Sequence, residues 1–280
     1  MKLRRTYAAF TLIELLVVIG IIGVLAAMVG PTLIGFSKGD AMLAANRMML
    51  DGVARARQLA ISQNTTVYMV FVPTNYWADV AYASSPNLTP ADRTTATNLA
   101  EKQLVGFNFI TLRSLADQPG KNTVRYLSSW QTLPDKAFIA QWKFNLDIYS
   151  SNNIIDANNP LQPYQVRGFN VTRSIPFPLP ETKAYTVAQP YVPLPFIAFD
   201  YQGHLISTPP GAEADGEFIP LAHGSVAPAR DSVTRRPILA ILDTPSIQEQ
   251  QSGNSTNSSF NLVHIDQFSG RARLERQQVK

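Results

Sequence analysis

The chain has 280 residues, with 24 Lys and Arg against 20 Asp and Glu, and a formal net charge of +4. Lys2, Arg4 and Arg5 account for most of that surplus, and no concentrated basic patch follows them, which argues against nucleic-acid binding. The chain has no cysteine, which excludes disulfides and cysteine-ligated zinc. Its length allows an anchor helix with one or two modest domains, and its 20 prolines and 15 glycines favour a β-rich body with many loops.

A long apolar run follows the basic N-terminal stub. No charged residue lies between Leu15 and Phe36. As a helix that rises about 1.5 Å per residue, this run spans roughly 33 Å, close to the ~30 Å hydrocarbon core of a bilayer. The basic stub predicts a cytoplasmic N-terminus, with the rest of the chain on the far side of the membrane. Glu14 places one carboxylate at the start of the run. Ionisable residues are costly in a membrane-spanning segment, so we interpret Glu14 as a functional residue.

The segment Ala9-Phe10-Thr11-Leu12-Ile13-Glu14-Leu15-Leu16 resembles the N-terminus of a type IV prepilin or type II secretion pseudopilin. The resemblance implies that a prepilin peptidase removes a leader, residues 1–9, by cutting between Ala9 and Phe10, and that Phe10 is then N-methylated. It also places Glu14 at the glutamate of the family and Pro31 at its helix-weakening proline. The chain departs from the family at Ala9, where glycine is usual.

The resemblance gives Phe10, Glu14 and Pro31 a role in assembly. Cleavage exposes a cationic amine on Phe10, and a helix N-terminus adds partial positive charge. Glu14 neutralises such an amine, either its own or that of a neighbour, and in a fibre the neighbour's amine fixes the axial register because opposite charges attract strongly in a low dielectric. We therefore expect Glu14→Ala or Glu14→Leu to leave membrane insertion intact and to impair assembly.

The helix is predicted to continue beyond the membrane. Apolar residues recur at steps of three and four, which is the pattern of one face of an amphipathic helix: Met42, Ala45, Met49, Val53, Ala56 and Ala60. We interpret this stripe as packing against a sheet. The predicted organisation is a leader (1–9), a transmembrane helix (10–36), its amphipathic continuation (37–64) and a periplasmic β-rich domain (65–280) with a long loop-rich insertion near 74–195.

The remainder of the chain contains predicted strands, and the strength of their sequence signals varies. The clearest are a strand at 66–71 and two hairpins, at 196–207 and 261–275, each with a glycine in its turn. Further predictions are strands at 106–112, 124–127, 137–146, 164–171 and 238–242, loops at 84–97 and 248–259, and extended or polyproline stretches at 176–180 and 190–195. The end of the helix and the two hairpins resemble the minor pseudopilin H/FimT-like group. The predicted fold class is α+β and pilin-like: a long N-terminal helix, membrane-spanning in its first half, packed on a C-terminal antiparallel β-sheet domain.

No catalytic constellation is visible in the sequence. The three histidines are far apart and fit neither a metal-ligand spacing nor a hydrolase motif: His204, His223 and His264. A hydrogen-bonded structural role is the simpler interpretation of His204 and His264, and no phosphate-binding glycine loop is present. We therefore expect no enzymatic activity, no cofactor and no metal.

The resemblance implies a structural subunit, a minor pseudopilin or minor pilin. Its partners are then other pilin or pseudopilin subunits, the prepilin peptidase/methyltransferase, an inner-membrane assembly platform and the lipid bilayer. Its place is the bacterial inner membrane as a single-pass protein, and the fibre once assembled. Type II secretion, type IV pili and DNA uptake share this anchor, so the machine stays open. The alternatives are a membrane-tethered periplasmic binding module, in which Glu14 is incidental, and an anchored enzyme.

Overall fold

The computed structural model describes residues 11–74, 76, 90–113, 124–144, 168–169, 172–176, 191–206, 216–238, 244–249 and 261–275, without the side chains of residues 26–40, 91–93, 95, 172–176 and 191–193. The described helices are α1 (Leu12–Gln63) and α2 (Pro90–Ala100), with a 3₁₀ turn at Gln141–Phe144. The described strands are β1 (Val67–Phe71), β2 (Gly106–Thr111), β3 (Arg125–Tyr126), β4 (Gln131–Thr132), β5 (Ala137–Ile139), β6 (Thr172–Pro176), β7 (Tyr191–Phe199), β8 (Glu217–Ala227), β9 (Ser246–Glu249), β10 (Asn261–Ile265) and β11 (Ala272–Glu275).

The chain divides into two compact units, Met1–Ala41 and Met42–Lys280. In the first unit the described backbone is helical from Leu12 onward. The second unit contains the remainder of α1 and two sheets. One sheet has the strand order β3-β2-β1-β7-β6, with β4 also paired to β2, and the other has the order β11-β10-β8-β5, with β9 also paired to β8. The described strand pairs are antiparallel. The α+β class is confirmed for the described residues.

The predicted apolar stripe of α1 forms the centre of the second unit. Ala45, Met49, Val53, Ala56 and Ala60 are fully buried, in one cluster with side chains from both sheets. The helix lies close to the first sheet at Gly52, where an added Cβ would lie 3.0 Å from Cε2 of Phe107. The predicted packing of this stripe against a sheet is therefore confirmed, whereas the bounds 37–64 stay a prediction.

Strand β1 is buried on both faces because α1 and α2 lie on opposite sides of it. Met69 and Phe71 belong to the cluster that contains the α1 stripe, whereas Val70 belongs to a second cluster with Ala96 and Leu99 of α2. Successive side chains of a strand point to opposite faces, so one strand serves both clusters. The prediction of a strand at 66–71 is confirmed.

The loop predicted at 84–97 is wrong from Pro90 onward, where α2 begins. Proline at the first position of a helix has its φ angle already suited to the helix and needs no hydrogen-bond partner for its missing N–H. Ala96, Leu99 and Ala100 then bury one face against the first sheet. Of the two prolines in the predicted loop, Pro86 and Pro90, the second therefore starts a helix.

Two other predictions are corrected, and one is narrowed to one of its two alternatives. The strand predicted at 137–146 ends at Ile139 and gives way to the 3₁₀ turn. The stretch predicted at 190–195 as extended or polyproline is extended from Tyr191 onward, as the first half of β7. Among the described strands it pairs there with β6 alone, because β1 pairs only from Phe196 onward. Proline is tolerated where one side of a strand carries no ladder. Strand β8, at the centre of the second sheet, was not predicted, and β9 takes the first residues of the loop predicted at 248–259.

Of the two predicted hairpins, the one at 261–275 is complete and the one at 196–207 is present only in part. Strands β10 and β11 pair as expected, whereas the arm that returns from β7 contributes a single bridge, between Phe199 and Leu205. Two predicted strands lie mostly outside the described residues. Of 238–242 only Ile238 is described, and of 164–171 only residues 168–169 are described. None of these residues is in a strand.

Candidate functional site

The first turn of α1 is closed by reciprocal hydrogen bonds between Thr11 and Glu14. The backbone N–H of Thr11 donates to Oε2 of Glu14 at 2.9 Å, and the Thr11 hydroxyl donates to the same oxygen at 2.8 Å. The backbone N–H of Glu14 in turn approaches Oγ1 of Thr11 at 3.3 Å. This arrangement is a capping box, in which a Thr and a Glu three residues later satisfy donors that a helix N-terminus leaves unpaired.

The capping role of Thr11 was missed at the sequence level. The T-x-x-E spacing ahead of an apolar run is itself a signal for it. The consequence is that hydrogen bonds from Thr11 hold the carboxylate of Glu14 at the helix terminus.

The helix surface around Glu14 is apolar and exposed. Eleven large apolar residues between Leu12 and Leu25 have relative exposures from 47% to 82%. Glu14 is the single charged residue between Phe10 and Phe36 in the sequence. An apolar surface of this extent marks a site of interaction with protein or membrane.

The other predicted site residues are described less fully. Ala9 and Phe10 lie outside the described residues, so the geometry of the predicted cleavage position is not part of this structure. Pro31 lies within α1, whose backbone is assigned as one helix through this position, and its side chain is not described. Of the four predicted site residues, Glu14 is therefore the one with defined side-chain contacts.

Within the described residues, no helix combines the length and the apolar character needed to cross a membrane.

The histidines have ordinary contacts where the structure describes them. Nδ1 of His264 lies 2.9 Å from Oε1 of Glu275, and its ring stacks on Phe218 at 4.3 Å between centroids. Burial raises the pKa of Glu275. His204 lies at a turn, with Nδ1 3.4 Å from Oδ2 of Asp200. In the described part of the chain, no three His, Cys, Asp or Glu side chains are grouped as metal ligands would be.

One ion pair is deeply buried in the second unit. Nζ of Lys143, in the 3₁₀ turn, contacts Oε1 of Glu217 at the start of β8, and their side chains are 1% and 8% exposed. Oε1 of Glu217 also accepts the backbone N–H of Phe218 at 3.1 Å, and the ammonium lies 4.7 Å from the ring centroid of Phe169. The pair joins two segments of the β domain that are 74 residues apart in the chain.

Comparison with known proteins bears on the N-terminal segment. The family model described as the prokaryotic N-terminal methylation motif matches residues 4–30. This match includes Ala9, Phe10 and Glu14, and it supports a type IV prepilin-like family and processing by a prepilin peptidase. No curated protein and no solved structure matches the chain.

Proposed function

We propose that the chain is a structural subunit, a minor pseudopilin or minor pilin, of a type II secretion pseudopilus or type IV pilus. In this proposal prepilin peptidase cuts between Ala9 and Phe10, Phe10 is N-methylated, and the run from Leu15 to Phe36 anchors the chain in the inner membrane until assembly. The β domain stands outside that membrane, and the role is not catalytic. The observation that carries the proposal is the methylation motif at residues 4–30.

The geometry of the helix terminus supports the assembly step. In the isolated chain the Glu14 carboxylate is exposed and accepts two hydrogen bonds from Thr11. Carboxylates and cations attract more strongly as the dielectric constant falls. The attraction between Glu14 and the Phe10 amine of a neighbouring subunit is therefore strongest in an apolar setting. The exposed apolar residues around Glu14 supply that setting once helices pack together.

The first test is the N-terminal sequence and intact mass of the protein from native membranes. We expect a chain that starts at N-methylated Phe10. A chain that starts at Met1 would refute processing and would favour the membrane-tethered binding module.

The second test separates assembly from anchoring. Glu14→Leu should leave the membrane level unchanged and reduce the fibre-associated fraction at least tenfold. Asp51→Leu is the matched control, because it removes an exposed carboxylate from a later part of α1. Normal assembly of the Glu14→Leu protein would contradict the proposal.

A further inference from the structure

Two turns of similar sequence lie side by side at the C-terminal end of α1. The first runs from Asp200 to His204 and the second from Asp266 to Arg271. In both, an aspartate carboxylate accepts backbone N–H groups of its own turn, from Gln202 and His204 in the first and from Ser269 in the second. The backbone N–H of Leu205, just after the first turn, donates to the carbonyl of Gln267 in the second at 3.0 Å.

Glycine and arginine hold these turns against the helix. Gly270 has φ +62°, and an added Cβ there would lie 2.0 Å from the carbonyl oxygen of Gly203. Nε of Arg57 donates to the carbonyl of Ser269 at 2.8 Å. At Gly203, which has φ +85°, an added Cβ would lie 2.8 Å from Cδ1 of Ile61. The helix end and both turns therefore form one ordered surface.

Large apolar side chains project from this ordered surface. Phe268 is 77% exposed, Tyr201 54% and Ile61 43%. We call these three residues the twin-turn surface. An exposed aromatic at the tip of a turn that is fixed by its own hydrogen bonds loses little further conformational entropy when it is covered, which suits it to binding.

We propose that the twin-turn surface docks on the globular domain of an adjacent helix-anchored subunit of the same fibre. This proposal rests on the proposed function. Taking about 200 Å² for each fully exposed large side chain, the surface offers roughly 350 Å². A stable interface buries about 800 Å² per partner, so this surface is too small to hold a free dimer. It suits subunits that their N-terminal helices already hold at high effective concentration.

The shape of the surface decides how the neighbour binds. In a two-fold contact the same patch meets itself, so projecting Phe268 and Tyr201 would meet their own copies tip to tip. Side chains that project from a turn need a recess to be covered. The projecting side chains therefore favour a heterologous contact, in which the occupant is a different face of the adjacent subunit.

Site-specific photo-crosslinking in the full chain in native membranes tests this contact. A benzophenone amino acid replaces Phe268 in one variant and Val233 in the other. Val233 is the matched control, since it is 87% exposed and also sits in a turn held by an aspartate, with its N–H 3.0 Å from Oδ1 of Asp231. We expect cross-linking from position 268 to the globular domain of a second chain with a methylated N-terminus, at least tenfold above position 233.

Three results would overturn the docking proposal: equal cross-linking at both positions, products with lipid alone, or products that join position 268 to position 268. A second measurement compares Phe268→Asp with Val233→Asp. The first should reduce the fibre-associated fraction at least fivefold with an unchanged melting temperature, and the second should not. Equal assembly of the two would contradict docking.

Failure of the docking proposal is distinguishable from failure of the proposed function. Normal assembly of the Glu14→Leu protein would refute the proposed function, whatever the cross-linking result at position 268. Defective assembly of that protein, together with no preferential product from position 268, leaves the fibre role standing and removes only the twin-turn contact.

Discussion

The buried pair of Lys143 and Glu217 gives the sharpest test of the packing in the β domain. Both side chains are almost completely excluded from water. Removing one partner from such a pair leaves a buried charge uncompensated, which costs about 3–5 kcal/mol, whereas replacing both by neutral groups of similar size is close to neutral. We therefore expect Lys143→Met to lower the free energy of unfolding by about 4 kcal/mol, or the melting temperature by about 10 °C.

The compensating variant is Lys143→Met combined with Glu217→Gln. Glutamine keeps an acceptor for the N–H of Phe218 and carries no charge, so the double variant should come within about 1 kcal/mol of the parent protein. Urea unfolding of the full chain in detergent measures both, with tryptophan fluorescence as the signal, because buried Trp142 adjoins Lys143. Lys102→Met, which removes an exposed ammonium that donates to Thr132, is the control and should change stability by less than about 0.5 kcal/mol.

Two results would refute this reasoning. One is a cost below about 1 kcal/mol for Lys143→Met, which would mean that water reaches the Glu217 carboxylate when the cation is absent. The other is a double variant as unstable as the sum of the two single variants, which would mean that the residues are not energetically coupled.

Three further predictions concern the turns and the helix cap. Gly270→Ala should lower the free energy of unfolding by about 2 kcal/mol or more in a thermal melt, since alanine disfavours φ +62° and its Cβ would clash with the Gly203 carbonyl. Thr11→Val should weaken the first turn of α1 by about 1 kcal/mol, seen as roughly fivefold faster amide hydrogen exchange there, whereas Thr11→Ser should retain protection. Side-chain and backbone hydrogen bonds from Ser269 hold the pKa of Asp266 below its ordinary value of 3.8, so its stabilising contribution is present above that value and lost as pH falls through the lower folded one. Between pH 5 and pH 2, the free energy of unfolding should therefore fall less in the Asp266→Asn protein than in the parent. An equal fall in both proteins would contradict a lowered pKa for Asp266.

Local sequence patterns anticipated the elements that a single periodicity defines. The 3.6-residue stripe from Met42 to Ala60 identified both the helix and its buried face, since the burial of each member follows from its angular position. The β-branched and aromatic residues of 66–71 and the glycine turns of the two hairpins were equally local signals. Ala9, Phe10 and Glu14 followed from a short motif whose spacing can be read without any fold.

The errors have a different origin. Pro90 starts a helix and does not mark a loop. Proline has no backbone N–H, so its structural effect depends on whether its position in the fold needs a hydrogen-bond donor. Strand β8 pairs with β5, β9 and β10, and its central place follows from those distant partners and not from its own composition.

The sequence by itself determined the N-terminal motif, the apolar run and the buried face of α1, because each depends on residues close together along the chain. Only the tertiary structure decided that Lys143 meets Glu217 and that Arg57 joins the turn at Ser269 to the helix, because these contacts link residues 74 and 212 positions apart. Such pairings form when the sheets and the helix have packed, and local propensity carries no information about them.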